Sequence, residues 1–307
     1  MPNVLLLRTP SETSPDPYES SLRKASYTPY SLPVLETSIT NLSDLQALMY
    51  TGPQSRGYAG VIITSKRSCE AWSAAAKNQL ALLSFDGDNS RAVLKSSLAA
   101  WAKVPFYVVG KGTANALEEF RVLCSDSGSD VNLDIRGQDT GTGEQLARFV
   151  LEDILGGSGS GTSTLLYLTG DKNRDTVPKI LSPEEGQGRK IELEALQVYE
   201  THGSTNFESN LKSLVAENYK DNNWWIVFFA PSSADFAYPK LLKHFIFTPN
   251  ETPLELDDPP HLLTAKVAAI GYVTSAHLEE ELKIRVDAIA TKPSAEALST
   301  AISTTMR

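Results

Sequence analysis

The chain has 307 residues, enough for two domains that each bury a core, and its 41% apolar and 21% charged residues are those of an ordinary globular protein. A formal net charge of −9 argues against nucleic acid or an anionic membrane as partner, but leaves room for an anionic small molecule held by local positive charge. Two distant cysteines, Cys69 and Cys124, and four scattered histidines without HxxxH or HExxH spacing exclude a disulfide scaffold and argue against a metal site.

From the N-terminus, Val4-Leu5-Leu6-Leu7 is apolar but short, with nothing basic before it, so it reads as a buried parallel strand rather than a secretory leader. No later run approaches the ~20 residues of a membrane-spanning helix. The expected compartment is the cytoplasm, with reduced thiols. Val61-Ile62-Ile63-Thr64 is the next strand and runs through Ser65-Lys66-Arg67 into a helix. Residues 84–90 are polar and are expected to form a loop tip. Val108-Val109-Gly110 begins another strand-to-helix turn, and Thr142-Gly143-Glu144 has the cap and early glutamate of a helix start. Residues 156–163 form a Gly/Ser run expected at the surface. Strands follow at residues 165–168 and 226–229, then a proline-rich, acidic stretch at 249–260 that reads as an insertion. Ala269-Ile270-Gly271 and Ser294-Ala295-Glu296 close the series as a strand-to-helix turn and a helix start.

Several of these blocks occur twice in the same order. Residues 61–64 match 226–229, and 4–7 match 165–168. Gly110-x-x-Thr113-Ala114 matches Gly271-x-x-Thr274-Ser275, each with a leucine three residues later. Leu32-x-Val34-Leu35-Glu36-Thr37 matches Leu196-x-Val198-Tyr199-Glu200-Thr201, and Thr142 onward matches Ser294 onward. Strands alternating with helices, written twice, predict two homologous doubly wound α/β lobes with parallel sheets. The L-x-V-[LY]-E-T segments suit extended connectors.

Ligands of open parallel sheets bind beyond the carboxyl ends of the strands. Arg8 and Thr9, Ser65, Lys66 and Arg67, Lys111 and Thr113, Lys172 and Arg174, Ser232 and Ser233, and Thr274 occupy those positions. Cations and hydroxyls dominate this set, and each helix start adds roughly half a positive charge. Such a surface suits a ligand with several carboxylates. Residue by residue, the hydroxyls can equally be helix caps contributing about 1 kcal/mol each, and the cations can be solvated loop charges. No G-x-S-x-G, P-loop or G-x-G-x-x-G follows a strand, so acyl, phosphoryl and hydride transfer are not indicated. A non-enzymatic two-lobed binding protein for an anionic small molecule remains open on these grounds.

The texts YAGVIITSKRSCEAW, VPFYVVGKGTANAL, LYLTGDKNRDTVPKIL, LQVYET, VFFAPSSADF, AAIGYVTSAHL and KPSAEALSTAI, in this order, resemble the uroporphyrinogen-III synthase family. The resemblance implies two flavodoxin-like domains joined by a two-stranded antiparallel β-ladder. It places residues 1–33 with 202–307 in one domain and 38–195 in the other, with connectors 34–37 and 196–201. It also implies a monomeric lyase without cofactor or metal, acting on hydroxymethylbilane, a linear tetrapyrrole with eight carboxylates. Tyr199 matches the family's ladder tyrosine and is implied as the proton donor to the departing hydroxyl. Arg8, Ser65, Arg67, Lys111, Thr113, Lys172, Arg174, Ser232, Ser233 and Thr274 are the implied substrate contacts. Ala230-Pro231 stands where many members have Ser-Pro, and Lys66 where proline is common, which moves the expected contact to Ser232 or the backbone.

Overall fold

The computed structural model describes residues 1–11, 14–82, 88–126, 132–156, 161–173, 175–181, 190–219, 223–248 and 262–305. The predicted 249–260 insertion, the middle of the 156–163 run and Arg174 lie outside the described residues. In chain order, β1 (Asn3–Leu7), α1 (Pro17–Lys24) and β2 (Thr28–Ser31) come first. Then follow β3 (Leu35–Ile39), α2 (Leu42–Thr51), β4 (Tyr58–Ile63), α3 (Lys66–Leu82), α4 (Asp88–Trp101), β5 (Pro105–Val108) and α5 (Gly110–Asp126). Next are β6 (Asp134–Arg136), α6 (Gly143–Leu155), β7 (Thr162–Gly170), α7 (Thr176–Leu181) and β8 (Lys190–Gly203). The last stretch holds α8 (Phe207–Glu217), β9 (Trp224–Phe228), α9 (Pro231–Leu241), β10 (Phe245–Phe247), β11 (Leu263–Ala269), α10 (Tyr272–Glu280), β12 (Ala288–Ile289) and α11 (Ala295–Thr305).

Two compact units result, one of residues 1–36 with 202–307, the other of residues 37–201. In the first, the sheet order is β10-β11-β9-β1-β2, with β12 also on β11, and these pairs are parallel. In the second, the order is β3-β8-β7-β4-β5-β6, and the pairs from β8 to β6 are parallel. The repeats map onto these orders. β1 and its counterpart β7 each lie beside the second repeated strand, β9 and β4, which in turn lies beside β11 or β5.

Both sheets are covered on both faces, which is why their strands are unbroken apolar runs rather than alternating ones. Leu5 and Leu7 of β1, with Ile226 and Phe228 of β9, pack under α8, α9 and α10. Val4, Leu6, Trp225 and Val227 pack under Leu22 of α1 and Leu298 and Ile302 of α11. In the second unit Val61, Ile63, Leu166 and Leu168 meet Trp72, Ala75, Leu117 and Phe120, and Ile62, Leu165 and Tyr167 meet Leu146, Val150 and Leu181. Each such side chain contributes roughly 1.5–3 kcal/mol when fully buried.

Thr142 accepts from the Gln145 amide at 3.2 Å and Ser294 from the Ala297 amide at 3.2 Å, so both repeated helix starts are capped as read. The loop expected at 84–90 is corrected in part: α4 begins at Asp88, because Leu94, Leu98 and Trp101 recur on one helical face and are buried. Gly110 has φ +72 and needs a glycine to turn from β5 into α5, whereas Gly271 is extended, with φ 176, and has open space at its Cα. Among the described residues no helix is long and apolar enough to cross a membrane.

Candidate functional site

The carboxyl edge of the second unit's sheet gathers residues from four strands. Ser65, just past β4, accepts from the Arg67 amide at 3.2 Å and so caps α3. One residue beyond Arg67, the buried hydroxyl of Ser68 donates to the Leu168 carbonyl at 3.2 Å, fastening the first turn of α3 to β7. Arg67 is thereby held beside β8. Its guanidinium donates to the Thr201 hydroxyl at 2.9 Å and lies 5.9 Å from the centre of the Tyr199 ring.

Lys111 stands exposed in the first turn of α5, and Lys172 stands exposed after β7. Among the described residues Arg67, Lys111 and Lys172 have no carboxylate partner, while Lys66 reaches Glu70 at 4.0 Å. Thr113 is buried, and its carbonyl accepts from the thiol of Cys69 at 3.5 Å. Tyr199 is half-buried, and among the described residues its hydroxyl has no hydrogen-bond partner. The edge therefore presents a phenol, a guanidinium and two ammonium groups whose positive charge is left for a ligand. A carboxylate docked there would form charge-assisted hydrogen bonds, stronger than neutral ones.

In the first unit Arg8, past β1, is committed within the fold. It donates to Asp16 at 2.8 Å and lies 4.8 Å from the centre of the Tyr18 ring and 5.6 Å from that of Phe229. Asp16 in turn caps α1 through the Tyr18 and Glu19 amides and accepts from the Ser11 amide at 2.7 Å. Burial pushes its carboxyl up, but the Ser11 amide, the Arg8 guanidinium and the Glu19 amide outweigh that and bring it down to about 2.

Ser233 is buried and donates to the Ala230 carbonyl at 2.8 Å, and Thr274 is buried in the first turn of α10. Ser232 is exposed. α9 and α10 start at Ala230 and Gly271 without a side-chain cap, so the amides of their first turns, other than Pro231, which has no N–H, are available to an anion, with Tyr272 and Val273 exposed on α10.

Four residues absent from the sequence-based set prove structural to these edges: Gly170, Asp171, Thr201 and Asp16. Asp171 accepts from the Thr201 amide at 3.1 Å and donates its own amide to the Tyr199 carbonyl at 3.3 Å. Thr201 had a signal as the last letter of the repeated L-x-V-[LY]-E-T text, and Gly170 and Asp171 lie in the text LYLTGDKNRDTVPKIL, while Asp16 had none. Among the described residues no group of three metal-binding side chains occurs.

The model of the family described as "Uroporphyrinogen-III synthase HemD" matches residues 16–300. A mutant uroporphyrinogen III synthase of Thermus thermophilus is similar, with 16% identity, 100% of this chain and 99% of that chain covered, and a TM-score of 0.43. Two further structures of Thermus thermophilus uroporphyrinogen III synthase, one of them described as wild type, are also 16% identical. They cover 100% of this chain and 100% and 98% of their own, with TM-scores of 0.35 and 0.37. No curated protein matches the chain.

Proposed function

The chain belongs to the uroporphyrinogen-III synthase family, and from that premise we propose that it cyclises hydroxymethylbilane to uroporphyrinogen III with loss of water and inversion of ring D. The observation that carries this reading is the family match, which runs through nearly every element of both units.

The chemistry asks for two services. The hydroxyl on the ring A methylene must leave as water, taking one proton and leaving a reactive azafulvene. Ring D must then attack that carbon through its own substituted α-carbon, giving a spiro intermediate that fragments and recloses inverted. The uncatalysed closure proceeds without inversion, so holding the two ends in a productive approach is most of the task. Tyr199 is the proposed donor of the proton, since a phenol carries an O–H that can be given to a departing hydroxyl. Its place beside Arg67, which has no carboxylate partner among the described residues, supports that role.

Arg67, Lys111 and Lys172, with the hydroxyls of Ser65 and Ser232 and the uncapped amides of α9 and α10, are the proposed carboxylate contacts. Arg8, Thr113, Ser233 and Thr274 are assigned instead to shaping their turns, because Arg8 is paired with Asp16 and the three hydroxylic residues are buried. Arg174 keeps its proposed place among the cations on sequence grounds alone.

The proposed architecture is two flavodoxin-like domains, residues 1–33 with 202–307 and residues 38–195. The connectors 34–37 and 196–201 would run as an antiparallel ladder. The bonds from the Thr40 amide to the Val198 carbonyl and from the Ser204 amide to the Val34 carbonyl support that pairing. A cytoplasmic monomer that needs no cofactor completes the reading.

Purified protein incubated with hydroxymethylbilane, without added metal or nucleotide, tests it. The type III isomer is expected to form faster than spontaneous closure. Type I alone, at the spontaneous rate, would refute it.

A further inference from the structure

We propose that Gly170 and a one-residue bulge at Val198 are positioning elements that aim Tyr199, a role that presupposes the donor assignment of that tyrosine. From Thr162 to Thr169, β7 pairs with β8 in constant register, with Thr169 opposite Gln197. The next pair is Gly170 opposite Tyr199, so Val198 has no partner on β7.

Neighbouring side chains of an unbroken strand point to opposite faces, which would set Tyr199 against Leu196 and Val198. Instead Leu196, Val198 and Tyr199 all pack on the one core that holds Trp72, Leu117 and Leu168. The extra residue turns Tyr199 to the face of α3 and α5, where Arg67 stands. Bulges of this kind re-aim side chains.

Room for the turned ring comes from Gly170. A Cβ there would lie 2.7 Å from the phenol oxygen and closer still to the ring carbons, so no side chain fits while the ring stays where it is. The strand beyond is pinned from both sides. The Asp171 amide binds the Tyr199 carbonyl, its carboxylate binds the Thr201 amide, and the Thr201 hydroxyl binds Arg67. Asp171 thus holds the Tyr199 carbonyl and the Thr201 amide, Arg67 holds the Thr201 hydroxyl, and Gly170 leaves the ring its place. That leaves the phenol oxygen one position from which to donate.

A mutant cycle in the full chain tests this, reading kcat, KM and the type III share of product together with the urea midpoint. Gly170→Ala is expected to lower kcat about tenfold or more, as ångström-scale displacement of a reacting group does, with KM little changed. On a Tyr199→Phe background the same change should cost little further, because the hydroxyl through which it acts is already gone. Asp171→Ala alters an exposed residue and provides a second route that does not depend on the core tolerating alanine. It should lower kcat several-fold and be equally non-additive with Tyr199→Phe.

Unchanged kcat in both variants, or equal losses with and without the phenol hydroxyl, would overturn the positioning role and leave the donor assignment standing. If Tyr199→Phe is itself as active as the parent, the donor assignment falls and the positioning role falls with it.

Discussion

Asp16→Asn removes one charge while keeping an acceptor for the amides at the start of α1, and so isolates the electrostatic hold on Arg8. The carboxylate takes hydrogen bonds from Ser11 at 2.7 Å, Arg8 at 2.8 Å, Tyr18 at 2.9 Å and Glu19 at 3.1 Å, and its side chain is 6% exposed. Against the burial that would raise it, these bonds bring the pKa from 3.8 to about 2. That difference corresponds to about 2 kcal/mol of folding stability. A carboxyl whose pKa is depressed by folding stabilises the fold above its unfolded pKa, and the contribution disappears as pH falls towards the folded value. Urea unfolding at pH 7 should therefore find the variant about 2 kcal/mol less stable than the parent. In a series at decreasing pH the gap should begin to close below pH 4 and narrow steadily towards pH 2. A gap that holds constant down to pH 3, or that is below ~0.5 kcal/mol at pH 7 as for an exposed ion pair, would refute this account of Arg8 and Asp16.

Arg67→Ala and Lys111→Ala should each raise KM for hydroxymethylbilane, and the increase should shrink with added salt, since exposed charges are screened within about 10 Å at 0.1 M. A KM unchanged at low salt would make those cations mere solvated charges. Tyr199→Phe should lower kcat by about a hundredfold, the low end for a lost general acid, at an unchanged urea midpoint. Thr142→Ala should cost about 1 kcal/mol through the lost cap on α6 and leave kcat and KM as they are. A kinetic effect there would mean that α6 takes part in the site.

The parts of the fold that were legible in the sequence are those that local physics dictates. Buried parallel strands must be apolar on both faces, so the runs at 61–64 and 226–229 stood out, and their repetition gave the equivalence of β4 with β9 and of β1 with β7. Caps at Thr142 and Ser294 were equally plain, because the side chain and the amide it serves lie three residues apart. α4 was partly hidden because its polar opening, Asp88-Asn89-Ser90, masks the buried face that starts at Leu94.

At the site, the strand ends marked Arg67 and Lys111 and the family resemblance marked Tyr199, but neither revealed what holds them. Arg8 looked like a free cation until the fold set Asp16 against it across the turn after β1. The bulge at Val198 depends on which β7 residue faces which β8 residue, a matter of hydrogen-bond register that no local pattern records.

The route of the chain through its two sheets has a bearing on synthesis. Everything that the 37–201 sheet needs arrives in one uninterrupted stretch, so its strands can find each other while the ribosome is still making the C-terminal third. The other half must wait: Asn3 lies against Trp224, and closing so wide a loop is slow. Until β9 emerges, β1 offers Leu5, Leu6 and Leu7 with no neighbour on that side. A nascent chain stalled before that point would leave this edge of β1 open, and this interval is where a chaperone would have most to protect.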